Sequence, residues 1–175
     1  DQSADYLRQI AARCEEENLY FGLEIETHLV GQTGGLLKTL HEKVDNEHLC
    51  LIFDCGNIES MGFNAAESVE QYHQMEAGLG WVHVKGTRCP ADPAFDADLK
   101  RRDLAGFIPV DLGDSGNEGS LRAFREVLPR LNRIWKARGV PGVFVDLEPH
   151  IKSGGQFGGF SGPDGFGVAF RGLLR

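Results

Sequence analysis

Strand-like runs and helix-like stretches alternate four times along this chain, and that alternation restricts its fold more than any other feature. A helix is predicted over Ala4–Glu17, where Tyr6, Leu7, Ile10, Ala11 and Cys14 share one stripe. Four runs of strand character follow, at Phe21–Glu26, Cys50–Asp54, Trp81–Lys85 and Val143–Glu148. Helices are predicted between and after them: Gly34 or Gly35 to Val44, Glu67–Ala77, Ser120–Ala137 and Phe166–Leu174. Strands that alternate with helices imply a parallel sheet joined by right-handed crossovers. The fold class is therefore α/β, in a single domain over residues 1–175. The apolar run at Cys50–Asp54 suits a parallel strand covered on both faces. Residues 86–119 form one long connection holding Pro90, Pro93 and Pro109, of the length expected of a lid or binding loop.

The last strand shows most clearly where chemistry would sit. In Val143-Phe-Val-Asp-Leu-Glu-Pro-His150, alternation sends Phe144, Asp146 and Glu148 to one face and Val143, Val145 and Leu147 to the other. Pro149 ends the strand, because proline cannot donate to a ladder. The run reads as a buried strand that delivers a carboxylate at its C-terminal end. Glu26, Asp54 and His83 occupy the same place on the three earlier strands. Parallel α/β units carry function at that end of the sheet. Three carboxylates and one imidazole make a hard, mostly oxygen donor set, suited to Mn2+ first, with Mg2+, Co2+ or Zn2+ as alternatives. Glu24 lies two residues before Glu26 on the same face and is its rival; Asp146 stands in the same relation to Glu148.

Charge and composition narrow the partners. A formal net charge of −8 argues against nucleic acid and against anionic membrane surfaces. No apolar run approaches the ~20 residues a membrane span needs. Cys14, Cys50, Cys55 and Cys89 show neither metal-type nor disulfide-type spacing, so reduced thiols and a cytoplasmic location are expected.

Several motifs then resemble one family. Leu23-Glu-Ile-Glu-Thr-His28, Phe53-Asp-Cys-Gly-Asn57, His83-Val-Lys85 and Val145-Asp-Leu-Glu-Pro149 resemble, in order, the ligand-bearing strands of the xylose isomerase-like TIM barrels, the sugar isomerases and epimerases. The resemblance implies that the parallel (β/α) units form the C-terminal half of a (β/α)8 TIM barrel, from helix four to helix eight. A full barrel runs to ~250 residues. A missing N-terminal half-barrel, or a homo-oligomer that closes the sheet, is therefore expected. The resemblance further implies metal ligands at Glu26, Asp54, His83 and Glu148, with Glu26 and Glu148 exchanging a proton on the carbon next to a carbonyl of a sugar or polyol. Substrate contacts would come from His28, Asn57, Lys85, Arg88 and His150.

The chain also departs from the ketose 3-epimerases of that family. It has Thr27-His-Leu-Val30 where they carry Asn-Arg-x-Glu, and Asn57 where they carry a histidine. Arg88 sits one position short of their arginine. The Gly154–Gly159 run after Glu148 looks more like branches that include dehydratases and C-glycoside deglycosidases. In these, His28 or His150 would serve as an extra base. Isomerase or epimerase is the first expectation, a lyase of the same enediolate chemistry the second, and a non-catalytic sugar-binding or partner module the third.

Overall fold

The computed structural model of the chain describes residues 2–87, 107–113, 116–150 and 162–175. Helix α1 (Gln2–Glu16) leads into strand β1 (Phe21–Glu24), helix α2 (Gly34–Val44) and strand β2 (Leu49–Asp54). Helices α3 (Cys55–Ser60) and α4 (Ala65–Met75) precede strand β3 (Leu79–Val84) and a short antiparallel pair, β4 (Gly86–Thr87) with β5 (Phe107–Ile108). Helix α5 (Asn117–Ala137), strand β6 (Phe144–Leu147) and helix α6 (Gly162–Leu173) complete the order. The sheet is parallel throughout, in the order β1-β2-β3-β6. Helices α1, α2, α4 and α5 pack side by side in the same sequence.

Local chemistry sets the boundaries. Thr33 caps α2 by accepting from Leu36 N, and Asp45, with φ of 49°, ends it in the left-handed conformation. Helix α4 starts at Ala65, two residues before the predicted Glu67, because Asn64 and Glu67 form a reciprocal capping box. Helix α3 falls between the predicted strand Cys50–Asp54 and the predicted helix Glu67–Ala77, where the sequence predicts no element. Its N-cap is Asp54, whose carboxylate accepts from Asn57 N, and six residues are too few to show a period.

The core lies between sheet and helices. Leu23, Ile25, Leu51, Phe53, Val82 and Val84 are buried against Leu7, Leu37, Tyr72, Met75 and Phe124. The opposite face of the sheet borders a cavity of about 230 Å3 lined by Gly22, Ile52, Trp81 and Phe144 among others. Strand β3 carries an extra residue where the register shifts between Leu51 and Ile52. A Cβ on Gly80 there would lie 2.4 Å from the Trp135 ring, so only glycine allows that approach. Strand β6 corrects the expectation of a buried strand: Phe144, Val145 and Asp146 are all exposed. It is an edge strand, and alternation alone does not say whether anything covers it. Among the described residues, no helix is long and apolar enough to cross a membrane.

Candidate metal centre

Four side chains meet at the C-terminal edge of the sheet. Glu24 is the last residue of β1, Asp54 the last of β2, His83 the next to last of β3, and Glu148 follows β6. The Glu148 N–H is still tied to Val84 O at 2.9 Å. Each of the four offers one donor atom, and these atoms lie within 4.8 Å of one another. His83 Nδ1 is 3.0 Å from Glu24 Oε1, 3.8 Å from Glu148 Oε2 and 3.9 Å from Asp54 Oδ2.

Asp54, His83 and Glu148 are thus brought together as the strand spacing predicts, with Glu24 in place of Glu26. In the ladder Glu24 pairs with Ile52, one same-face step below Asp54, and its longer side chain reaches up. Glu26 would be level with Asp54, but β1 has already left the sheet after Ile25 N bonds Ile52 O. The Glu26 carboxylate turns back to accept from Thr27 N and Thr27 Oγ1, both at 2.6 Å.

A fifth group lies inside the site. Lys85 is buried, with Nζ 2.8 Å from Asp54 Oδ2 and 2.6 Å from Glu148 Oε2. Gly56 leaves room for its stem, since a Cβ there would fall 2.2 Å from Lys85 Cγ. Asn117 holds the Lys85 carbonyl at 2.9 Å and also accepts from Cys55 Sγ. Asn57 ties the floor together, its amide donating to Glu24 Oε1 at 3.1 Å and to Ile25 O at 3.0 Å.

Burial pushes the Asp54 carboxyl up to about 7, against the pull of the Lys85 ammonium. For Glu24, burial acts upward too, but the hydrogen bond and charge of His83 outweigh it and the pKa falls. His83 is raised, because Glu24, Asp54 and Glu148 together overcome the burial that disfavours its charge. Lys85 is raised for the same reason, by Asp54 and Glu148. Glu148 is held well below the usual carboxylate range, by the His150 hydrogen bond first and by Lys85, against burial.

The donor set fits a divalent cation. Three carboxylates against one ammonium leave a formal charge of −2 when His83 is neutral. Donors on opposite sides of an ion bonded at about 2.1 Å stand about 4.2 Å apart. The 4.8 Å spread therefore has to close by only a few tenths of an ångström.

No protein-family model matches the chain, and no curated protein matches it in sequence. Solved structures do match. The probable 3-DHS dehydratase AsbF of Bacillus anthracis, involved in petrobactin synthesis, superposes with a TM-score of 0.66 at 15% identity, over 98% of this chain and 55% of its own. D-psicose 3-epimerase of Clostridium cellulolyticum H10, crystallised with D-tagatose, gives 0.53 at 18% identity, over 98% and 53%. The chain shares with these structures the fold of half a TIM barrel. It spans about half the length of the structures it matches.

In this half-barrel the expected substrate residues divide. Asn57 and Lys85 stand in the site as described. His150 donates from Nε2 to Glu148 Oε1 at 2.9 Å, with its own backbone at φ of 47° and its ring stacked on Phe107 at 5.0 Å. His28 is exposed on the turn beyond Glu26 and is not one of the four converging donors. Arg88 and the 154–159 glycine run lie outside the described residues. Sequence reasoning missed Phe107 and Asn117, which reach the site from other elements and carry no local signal.

Proposed function

We propose that the chain is the metal-bearing half of a divalent-metal-dependent isomerase or epimerase that removes a proton next to a carbonyl of a sugar or polyol. One observation carries the reading: the donors of Glu24, Asp54, His83 and Glu148 converge within 4.8 Å at the functional edge of a parallel sheet. The cation, Mn2+ first for so oxygen-rich a set, supplies positive charge where the carbonyl oxygen becomes negative as the proton leaves. Glu24, Asp54, His83 and Glu148 would hold it.

Glu24 and Glu148 are the proton carriers in this reading, Glu24 taking the part expected of Glu26. Each is ionised at neutral pH. Glu148 is a weak base while Lys85 and His150 both bond to it. Substrate oxygens that draw those two donors away would restore its basicity, so substrate binding and base activation are one event. Lys85 and His150 then orient the substrate, and Asn57 keeps Glu24 in place. Residues beyond this chain, or a second copy, would close the barrel. A cytoplasmic location accords with the free thiols Cys14, Cys50 and Cys55.

A lyase outcome is the second reading, and His150 favours it. An imidazole held beside Glu148 by stacking on Phe107 is placed to protonate a departing hydroxyl or glycone.

Both readings predict proton exchange. The natural polypeptide with Mn2+, given ketoses or 3-keto-glycosides in D2O, should place deuterium next to the carbonyl, as read by mass spectrometry. Glu148→Gln should cut that exchange by about a hundredfold or more. Product without a lost hydroxyl or glycone marks isomerase; its loss marks lyase. Absence of both bound metal and exchange would leave only a binding module.

A further inference from the structure

The two nitrogens of the His83 ring face different surroundings. Nδ1 looks into the candidate centre, toward Glu24, Glu148 and Asp54. Nε2 looks the other way, to Asp146 Oδ2 at 3.9 Å. That oxygen is already fixed, accepting from the Trp81 indole N–H at 2.6 Å. The backbone builds the arrangement: His83 pairs with Asp146 in the ladder, and Trp81 pairs with Phe144, on which its ring stacks at 4.5 Å.

A neutral imidazole carries one proton. If Nδ1 gives its lone pair to a cation, the proton must sit on Nε2, where it needs an acceptor. We propose that Asp146, gripped by Trp81, is the positioning residue that keeps the His83 proton on Nε2 and presents Nδ1 as the ligating atom. The inference rests on the metal-site reading above. It concerns a residue one same-face step below Glu148, outside the four ligands. The 3.9 Å separation has to close by about 1 Å to reach hydrogen-bond length.

The test uses the natural polypeptide, with Mn2+ affinity read by calorimetry and the His83 ring read by 15N NMR with Zn2+ as a diamagnetic substitute. In the wild type the ring should show a metal-shifted Nδ1 and a protonated Nε2. Asp146→Leu should weaken Mn2+ binding by about 10- to 100-fold and speed exchange of the Nε2 proton with water. Asp146→Asn keeps an accepting oxygen and should stay within about threefold of wild type, separating the hydrogen bond from a direct charge contact to the metal. Trp81→Phe keeps the stack on Phe144, frees Asp146, and should fall between the two. If the wild type binds no Mn2+, the metal-site reading fails and the proposal falls with it. If the wild type binds Mn2+ and Asp146→Leu binds it equally well, or the ring ligates through Nε2, the proposal alone is overturned.

Discussion

The two walls of the site are built differently. On the β2–β3 side, Asp54 is 0% exposed and Lys85 3%, on strands whose other face buries Phe53, Val82 and Val84 in the core. On the β6 side, Phe144 is 37% exposed and Val145 44%, and Glu148 leans inward from an uncovered edge. One wall is held by packing, the other by ion pairs to its neighbour. The same chemical feature, a carboxylate at a strand end, therefore has a fixed geometry at Asp54 and a borrowed one at Glu148.

The largest effects should come from the packed wall. Phe53→Ala removes a fully buried ring that meets Tyr72 edge-on at 5.3 Å, and should cost about 3–5 kcal/mol in urea unfolding. Lys85→Met should cost about 1–3 kcal/mol without added divalent cation, because the Asp54 carboxyl, already raised to about 7, then takes up a proton and stays buried without its partner. Added Mn2+ should restore much of that loss, since a bound cation replaces the missing charge. A Lys85→Met loss that Mn2+ leaves untouched would mean that the lysine stem matters and its ammonium does not.

Proton linkage gives the next effect. A cation held by the four proposed ligands would displace a proton from His83, raised by three carboxylates, and from Asp54, raised to about 7. Affinity for Mn2+ should therefore rise with pH between about 6 and 8, by up to tenfold per unit for each displaced proton. Calorimetry in buffers of different ionisation heat would count the protons; zero released would contradict the assigned ligands. The metal-free fold responds in the opposite sense. His83 and Asp54 both bind protons more tightly folded than unfolded, so what they contribute is present at low pH and lost as pH rises toward and through 7. Glu24 and Glu148 are shifted down, and their contribution is lost as pH falls below the ordinary carboxylate value of 4.5.

Asn57→Ala should be milder, weakening Mn2+ binding about tenfold by freeing Glu24, with the α3 cap from Asp54 to the residue-57 N–H retained. An unchanged affinity would show that Glu24 is held by His83 alone.

Much of the convergence at this candidate site is legible in the sequence, and most of the misses share one cause. Asp54, His83 and Glu148 followed from strand period and from the length of a βα unit. Glu24 and Glu26 could not be separated, because a period of two puts both on one face and does not say where pairing stops. Helix α3 hid behind Asp54, whose capping role shows only once Asn57 N is found bonded to it. The exposure of β6 was invisible because alternation reports which residues share a face, never what covers that face. The Trp81–Asp146 contact depends on cross-strand register, which no single strand encodes. Apart from α3, whose cap is local, each miss is a question about a neighbouring strand.

That distinction sets up the smallest effect. Val145 lies on the uncovered strand, so in the 175-residue chain alone Val145→Ala should change stability by less than about 0.5 kcal/mol. In the natural polypeptide, if a further set of βα units closes against β6, the same substitution removes methyl groups from a packed interface. It should then cost about 1–3 kcal/mol. Equal small costs in both would mean that β6 remains an edge in the functional protein, and that Glu148 is held in place by Lys85 and His150 rather than by a closed barrel.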